Sequence, residues 1–243
     1  MSRSLFIGVL FVVCLLVAVT GCTSQPAATP AATPVGTPVA APVVVTPAVT
    51  NAVYDPAAAQ KTFLALPQMP LNASETADIL ELQEAEKFIC DLNAILATQH
   101  KDVPVFMTIS NGSKVFMVAD NVILQRYGLA NPENALPGVF TNVKIQRAYN
   151  AGVNTGSMGV KDAIMVSATA EDMHIADLAA AIGRTDNTDL QFMYRQELAF
   201  ARNNLRTLSQ WLTAYGGVFT PTYISVDYYN ALMNSPVEQI PVK

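Results

Sequence analysis

The chain has 243 residues, of which 51% are hydrophobic, 14% are charged and three are cysteine. Its formal charge is −5, and its basic residues form no cluster able to neutralise a run of phosphates, which excludes nucleic acid as a natural partner. Three cysteines are also too few for a disulfide framework.

The chain opens MSRSLFIGVLFVVCLLVAVTGC, with one positive charge at Arg3, an apolar run from Leu5 to Val19, and the small residues Thr20 and Gly21. This pattern predicts a secretory signal over residues 1–21. The apolar run is shorter than the roughly 20 residues a helix needs to span a bilayer, so cleavage is expected. Val19-Thr20-Gly21-Cys22 resembles the lipobox of prokaryotic lipoproteins. The resemblance implies that Cys22 receives a diacylglyceryl group and becomes the new N-terminus. Each buried methylene of an acyl chain contributes about 0.8 kcal/mol, so two chains hold firmly where one holds marginally. The expected location is the outer face of the cell membrane, with the membrane as partner through the lipid. No charged residue lies between Thr23 and Tyr54, and prolines recur at Pro26, Pro30, Pro34, Pro38 and Pro42. Residues 22–54 are therefore expected to be an anchor cysteine and a disordered Pro/Thr/Ala spacer that favours extended polyproline II.

Residues 55–243 are long enough for one domain with a substantial core. Apolar residues at Ile79, Leu82, Ala85, Ile89, Leu92 and Leu96 draw a stripe along a first helix, from Ser74 to Gln99, with Asn72 or Ser74 as cap. A second stripe, Phe106, Ile109, Ser113, Phe116, Asp120, Ile123 and Tyr127, runs from near Pro104 to Gly128. Its interior Gly112 weakens a helix by roughly 1 kcal/mol relative to alanine, so packing must compensate. A long crossover from Gly128 to Gly156 follows, with a short helix from Asn142 to Ala151 and Ser157 as a possible cap beyond it. The third stripe is Val160, Ile164, Ser167, Glu171, Ile175, Leu178 and Ile182. The fourth is Leu190, Tyr194, Glu197, Ala201, Asn204, Leu208, Trp211 and Tyr215, capped by Asn187 or Thr188. A short last helix follows Ser225. The predicted fold is all-α: four long helices of matched length, in two hairpins joined by the crossover, the connectivity of ferritin-like four-helix bundles. Cys90 is expected to be a small buried helix residue.

The polar exceptions on these stripes are Ser113, Ser167, Glu171, Glu197 and Asn204, with Glu84, Glu86 and Asn93 on the flanks of the first helix. Buried carboxylates are costly unless paired, hydrogen-bonded or metal-bound. Glu171-Asp172-Met173-His174 has the Glu-x-x-His spacing that puts two side chains on nearly one helix face. His174 is nevertheless expected beside the stripe, at the surface or in a polar contact, and His100 at a helix end in a structural role.

Gln125-Arg126-Tyr127-Gly128-Leu129, Gly138-Val139-Phe140-Thr141-Asn142, Glu171 to Leu178, Arg184-Thr185-Asp186-Asn187 and Arg202 to Arg206 resemble, in this order, an uncharacterised prokaryotic group of ferritin-like proteins, domain of unknown function 2202. The resemblance implies a ferritin-like fold and a metal site whose positions fall here on Ala85, Ser113, Phe116, Glu171 and Asn204. Only Glu171 keeps a strong ligand there, since alanine and phenylalanine ligate nothing. The expected function is thus an extracytoplasmic, membrane-anchored binding or structural module with a degenerate metal site, no cofactor and no catalytic residue. The alternative is an iron- or manganese-handling metal-carboxylate protein using Glu84 or Glu86, Glu171, His174 and Glu197.

Overall fold

A computed structural model of the chain describes residues 54–240. The signal, Cys22 and the spacer up to Val53 lie outside the described residues. Among the described residues every regular element is helical: α1 Pro56–Ala65, α2 Ala73–Gln99, α3 Val105–Tyr127, α4 Val143–Gly156, α5 Val160–Arg184, α6 Thr188–Ala214 and α7 Val226–Met233. None of these helices is long and apolar enough to cross a membrane.

The four long stripes of the sequence are α2, α3, α5 and α6. Their ends follow local chemistry. Asn72, rather than Ser74, starts α2 through a capping box: its side chain accepts from the Ser74 and Glu75 amides while Glu75 accepts from the Asn72 amide. Gly128, at φ 67°, ends α3 in the left-handed region that glycine tolerates. Asn142 caps α4, which runs on past the expected Ala151 to Gly156. Ser157 lies at the C-terminal end of α4 and does not cap α5, whose start at Gly159 has no side-chain cap. The sequence reading missed α1, although Asp55 accepts from the Ala57 and Ala58 amides and Pro56 sits at the first position, both ordinary start signals.

α2 packs along α3 and α5 along α6, and the two hairpins meet through α2 with α5 and α3 with α6. α4 covers α2 and α5, α1 lies against α3 and α6, and α7 rests on α6. The core between them contains Leu92, Leu96, Ile109, Ile164, Ile175, Leu208 and Trp211, all 1% exposed or less. Gly112 answers the packing requirement placed on it: a Cβ there would lie 2.3 Å from the ring of Phe200 on α6, so its bareness admits that ring.

The crossover is pinned to α2 by charged side chains. The Glu84 carboxylate accepts the Thr141 and Asn142 amides at the start of α4. Lys87 pairs with Asp91 and donates to the Leu136 carbonyl, and Asp91 accepts the Gly138 amide. With α3, α5, α4 and the crossover around it, α2 is buried without interruption from Leu82 to Cys90.

Candidate functional site

One turn of α5 carries three buried polar residues that do three different things. Glu171 accepts a 3.0 Å hydrogen bond from the Asn204 amide on α6. Asp172 accepts the Thr222, Tyr223 and Ile224 amides and so fixes the chain before α7. His174 points to the interior, and its Nε2 lies 2.7 Å from Glu197 Oε1 on α6 and 3.1 Å from Glu86 Oε2 on α2. The sequence suggested His174 at the surface or in a polar contact. It is 1% exposed and ion-paired, because α5 is sandwiched between α2 and α6 on that face.

Glu86, His174 and Glu197 each offer a ligand atom within 4.8 Å of the others. A single N–H on His174 Nε2 serves both carboxylates, and Glu86 Oε1 and His174 Nδ1 have no hydrogen-bond partner. Two further buried acids lie in the field of this cluster, Glu171 and Asp120 of α3. Among the described residues, no Lys or Arg ion pair involves any of these four acids; those cations pair with Asp78, Asp91, Asp189 and Glu238.

Proton affinity reflects that imbalance. Burial, reinforced by the Glu86 charge, pushes the Glu171 carboxyl up to about 8. Burial pushes Glu197 up to about 7, against the opposing charge of His174. Burial alone would lower the His174 pKa, but the Glu197 charge and the hydrogen bonds to Glu197 and Glu86 outweigh it and raise it well above the ordinary value. Asp120 is raised by burial and then by Glu197 and Glu86. The cluster therefore retains protons at neutral pH, and a proton on Nε2 occupies the direction in which a cation would be bound.

The remaining sequence candidates lie elsewhere or contribute no charge. Glu84 is turned to the crossover and caps α4, so it is no ligand candidate. Ala85 is buried and Ser113 Oγ is buried without a partner. Phe116 stacks between Tyr54 and Phe200, with ring centroids 4.6 and 4.8 Å away, beside Ile240. Glu86, treated in the sequence as a flank residue, is 1% exposed and central. Asp120 was passed over, although its place on the second stripe marked it as inward. Tyr194 was also missed: its hydroxyl is buried without a partner, and burial followed by the Asp120 and Glu197 charges raises its pKa. His100 Nε2 donates to the Gly156 carbonyl at 2.8 Å and ties α2 to α4. Cys90 is buried, with its sulfur 3.7 Å from Ser110 Oγ.

The family described as "Uncharacterized protein domain (DUF2202)" matches residues 75–236, a span that holds Glu86, Asp120, Glu171, His174 and Glu197. The chain is 34% identical over 176 residues to uncharacterized protein MJ0754 of Methanocaldococcus jannaschii, covering 72% of this chain and 95% of that one. The crystal structure of the hypothetical protein MJ0754 is similar to this fold with a TM-score of 0.70, over 72% of this chain and 99% of that chain. The chain belongs to the family of this uncharacterized protein domain, DUF2202.

Proposed function

We propose that this protein is a lipid-anchored, extracytoplasmic ferritin-like module whose buried Glu86, His174 and Glu197 bind a divalent metal ion. The observation that carries this reading is the convergence of one imidazole and two carboxylates within 4.8 Å, fully buried and without a balancing Lys or Arg. Taking such charges out of water is expensive, and a cation is the simplest way to offset it. Two helical hairpins joined through the long α3 to α5 connection support the ferritin-like comparison. The residues fit one ion better than a pair. Where the family resemblance calls for ligands on α2 and α3, Ala85 and Phe116 offer none, and Asn204 spends its amide on Glu171. Mixed imidazole and carboxylate donors suit manganese or iron. No catalytic residue is assigned, and the module acts as a metal-binding unit held at the membrane by Cys22.

Metal analysis of full-length protein purified from membranes of cells supplied with iron and manganese tests the metal reading. About one ion per chain is expected, falling to background in Glu197→Gln; wild-type protein with no bound metal refutes it. The anchor is tested separately by detergent phase partition, in which the wild-type chain follows the detergent and Cys22→Ala moves to the aqueous phase. Equal partition of the two would refute lipidation at Cys22.

A further inference from the structure

Of the four long helices, α3 alone has no member in the Glu86, His174, Glu197 cluster, yet it carries a buried acid, Asp120, that lies outside the 4.8 Å group and within the field of its charges. Asp120 is 5% exposed, and its Oδ2 has no hydrogen-bond partner. It lies on the inward stripe of α3 with Phe116 and Ile123, and α3 packs against α2 and α6, the helices that carry Glu86 and Glu197. After burial, the charges that act most strongly on its carboxyl are those of Glu197 and Glu86. Glu86 likewise presents a buried Oε1 without a hydrogen-bond partner. Two carboxylate oxygens thus remain unsatisfied in the interior of a bundle where polar groups are nearly always paired.

Resting on the metal-binding reading above, we infer that Asp120 is the fourth protein ligand of a one-ion site to which each long helix gives one side chain: Glu86 of α2, Asp120 of α3, His174 of α5 and Glu197 of α6. A divalent ion there takes up the free oxygens of Glu86 and Asp120 and replaces the proton on His174 Nε2. Three carboxylates and one imidazole form an oxygen-rich set suited to Mn²⁺ or Fe²⁺. Asp120 stands one helical turn beyond Phe116, whose ring is committed to the stack with Tyr54 and Phe200. The centre is accordingly displaced along α3 from the Ser113 and Phe116 positions suggested by the family resemblance. A second ion finds no comparable set, because Glu171 is engaged by Asn204 and Ser113 offers only a hydroxyl.

The test is titration of full-length protein with MnCl₂, with free Mn²⁺ counted by electron paramagnetic resonance, on wild type and Asp120→Asn. One site per wild-type chain is expected, with affinity weakened about tenfold or more in D120N, since even residues that merely support ligands cost about 10- to 100-fold. Asp120→Cys loaded with Co²⁺ gives an independent readout: a thiolate-to-cobalt charge-transfer band absent from the wild type, whose Cys90 thiol rests on Ser110. If D120N does not fold, that band decides the assignment. Wild-type binding of one ion with unchanged D120N affinity and no cobalt–thiolate band overturns the role of Asp120 and leaves the metal-binding reading standing. Two ions per chain overturn the one-ion site, and no Mn²⁺ binding by the wild type overturns the metal-binding reading itself.

Discussion

Glu171 is 1% exposed and accepts one hydrogen bond, from Asn204, and among the described residues no Lys or Arg forms an ion pair with it. Its pKa of about 8, against an ordinary 4.5, means that the folded chain keeps a proton that the unfolded chain has released. Stability of the metal-free protein must therefore fall as pH rises from about 4.5 to about 8, since the native state binds more protons throughout that interval. Glu197, raised to about 7, and His174, also raised, act in the same direction. Thermal unfolding of metal-free protein between pH 5 and pH 8 checks this: the melting temperature is expected to decline with pH, and Glu171→Gln, which keeps an acceptor for Asn204 without a proton to lose, is expected to flatten the decline. A melting temperature that rises over this range would contradict the assignment. Removing the imidazole is more damaging. His174→Ala leaves Glu86 and Glu197 buried together without a partner and is expected to cost about 3–5 kcal/mol in denaturant unfolding, whereas a surface histidine would cost almost nothing.

At the scale of the elements, the stripes of α3 and α5 were legible because each of those helices keeps a wetter face, and that of α6 was legible from its apolar spacing although Gln196 to Ser209 are buried almost without interruption. α2 was legible as a helix but not as a site. Its residues from Leu82 to Cys90 are buried on every side, so apolar periodicity no longer distinguishes inward from outward, and Glu84 and Glu86 looked alike. Tertiary contacts separate them: Glu84 meets the crossover amides and Glu86 meets His174. Asp120 was within reach of the same periodicity that located Phe116 and Ile123. The helix α1 was announced by Asp55 and Pro56, but its Pro-Ala-Ala-Ala start continues the Pro/Thr/Ala composition of the preceding spacer. Gly112 illustrates an element-level dependence in the other direction. Gly112→Ala improves intrinsic helix propensity by about 1 kcal/mol, yet its Cβ would meet the Phe200 ring at 2.3 Å. Overpacking of that kind costs about 1–3 kcal/mol, so the variant is expected to be less stable than wild type, and Gly112→Ala combined with Phe200→Leu to recover part of the loss. An increase in stability for the single variant would show that the ring moves aside freely.

For the whole molecule, four helices meeting around a cluster of four acids and one histidine make a fold that is held together against its own charge. Retained protons relieve that charge up to about neutral pH, and a divalent ion can relieve it by displacing them, so binding and stability are linked. The most direct measurement is thermal unfolding of metal-free full-length protein at pH 7.5 over a series of Mn²⁺ concentrations. The melting temperature is predicted to climb with the logarithm of the concentration, reaching about 2.7 kcal/mol of added stability at a hundred times the dissociation constant, and to stay flat in His174→Ala. A wild-type melting temperature unmoved by Mn²⁺ and Fe²⁺ alike would contradict the account.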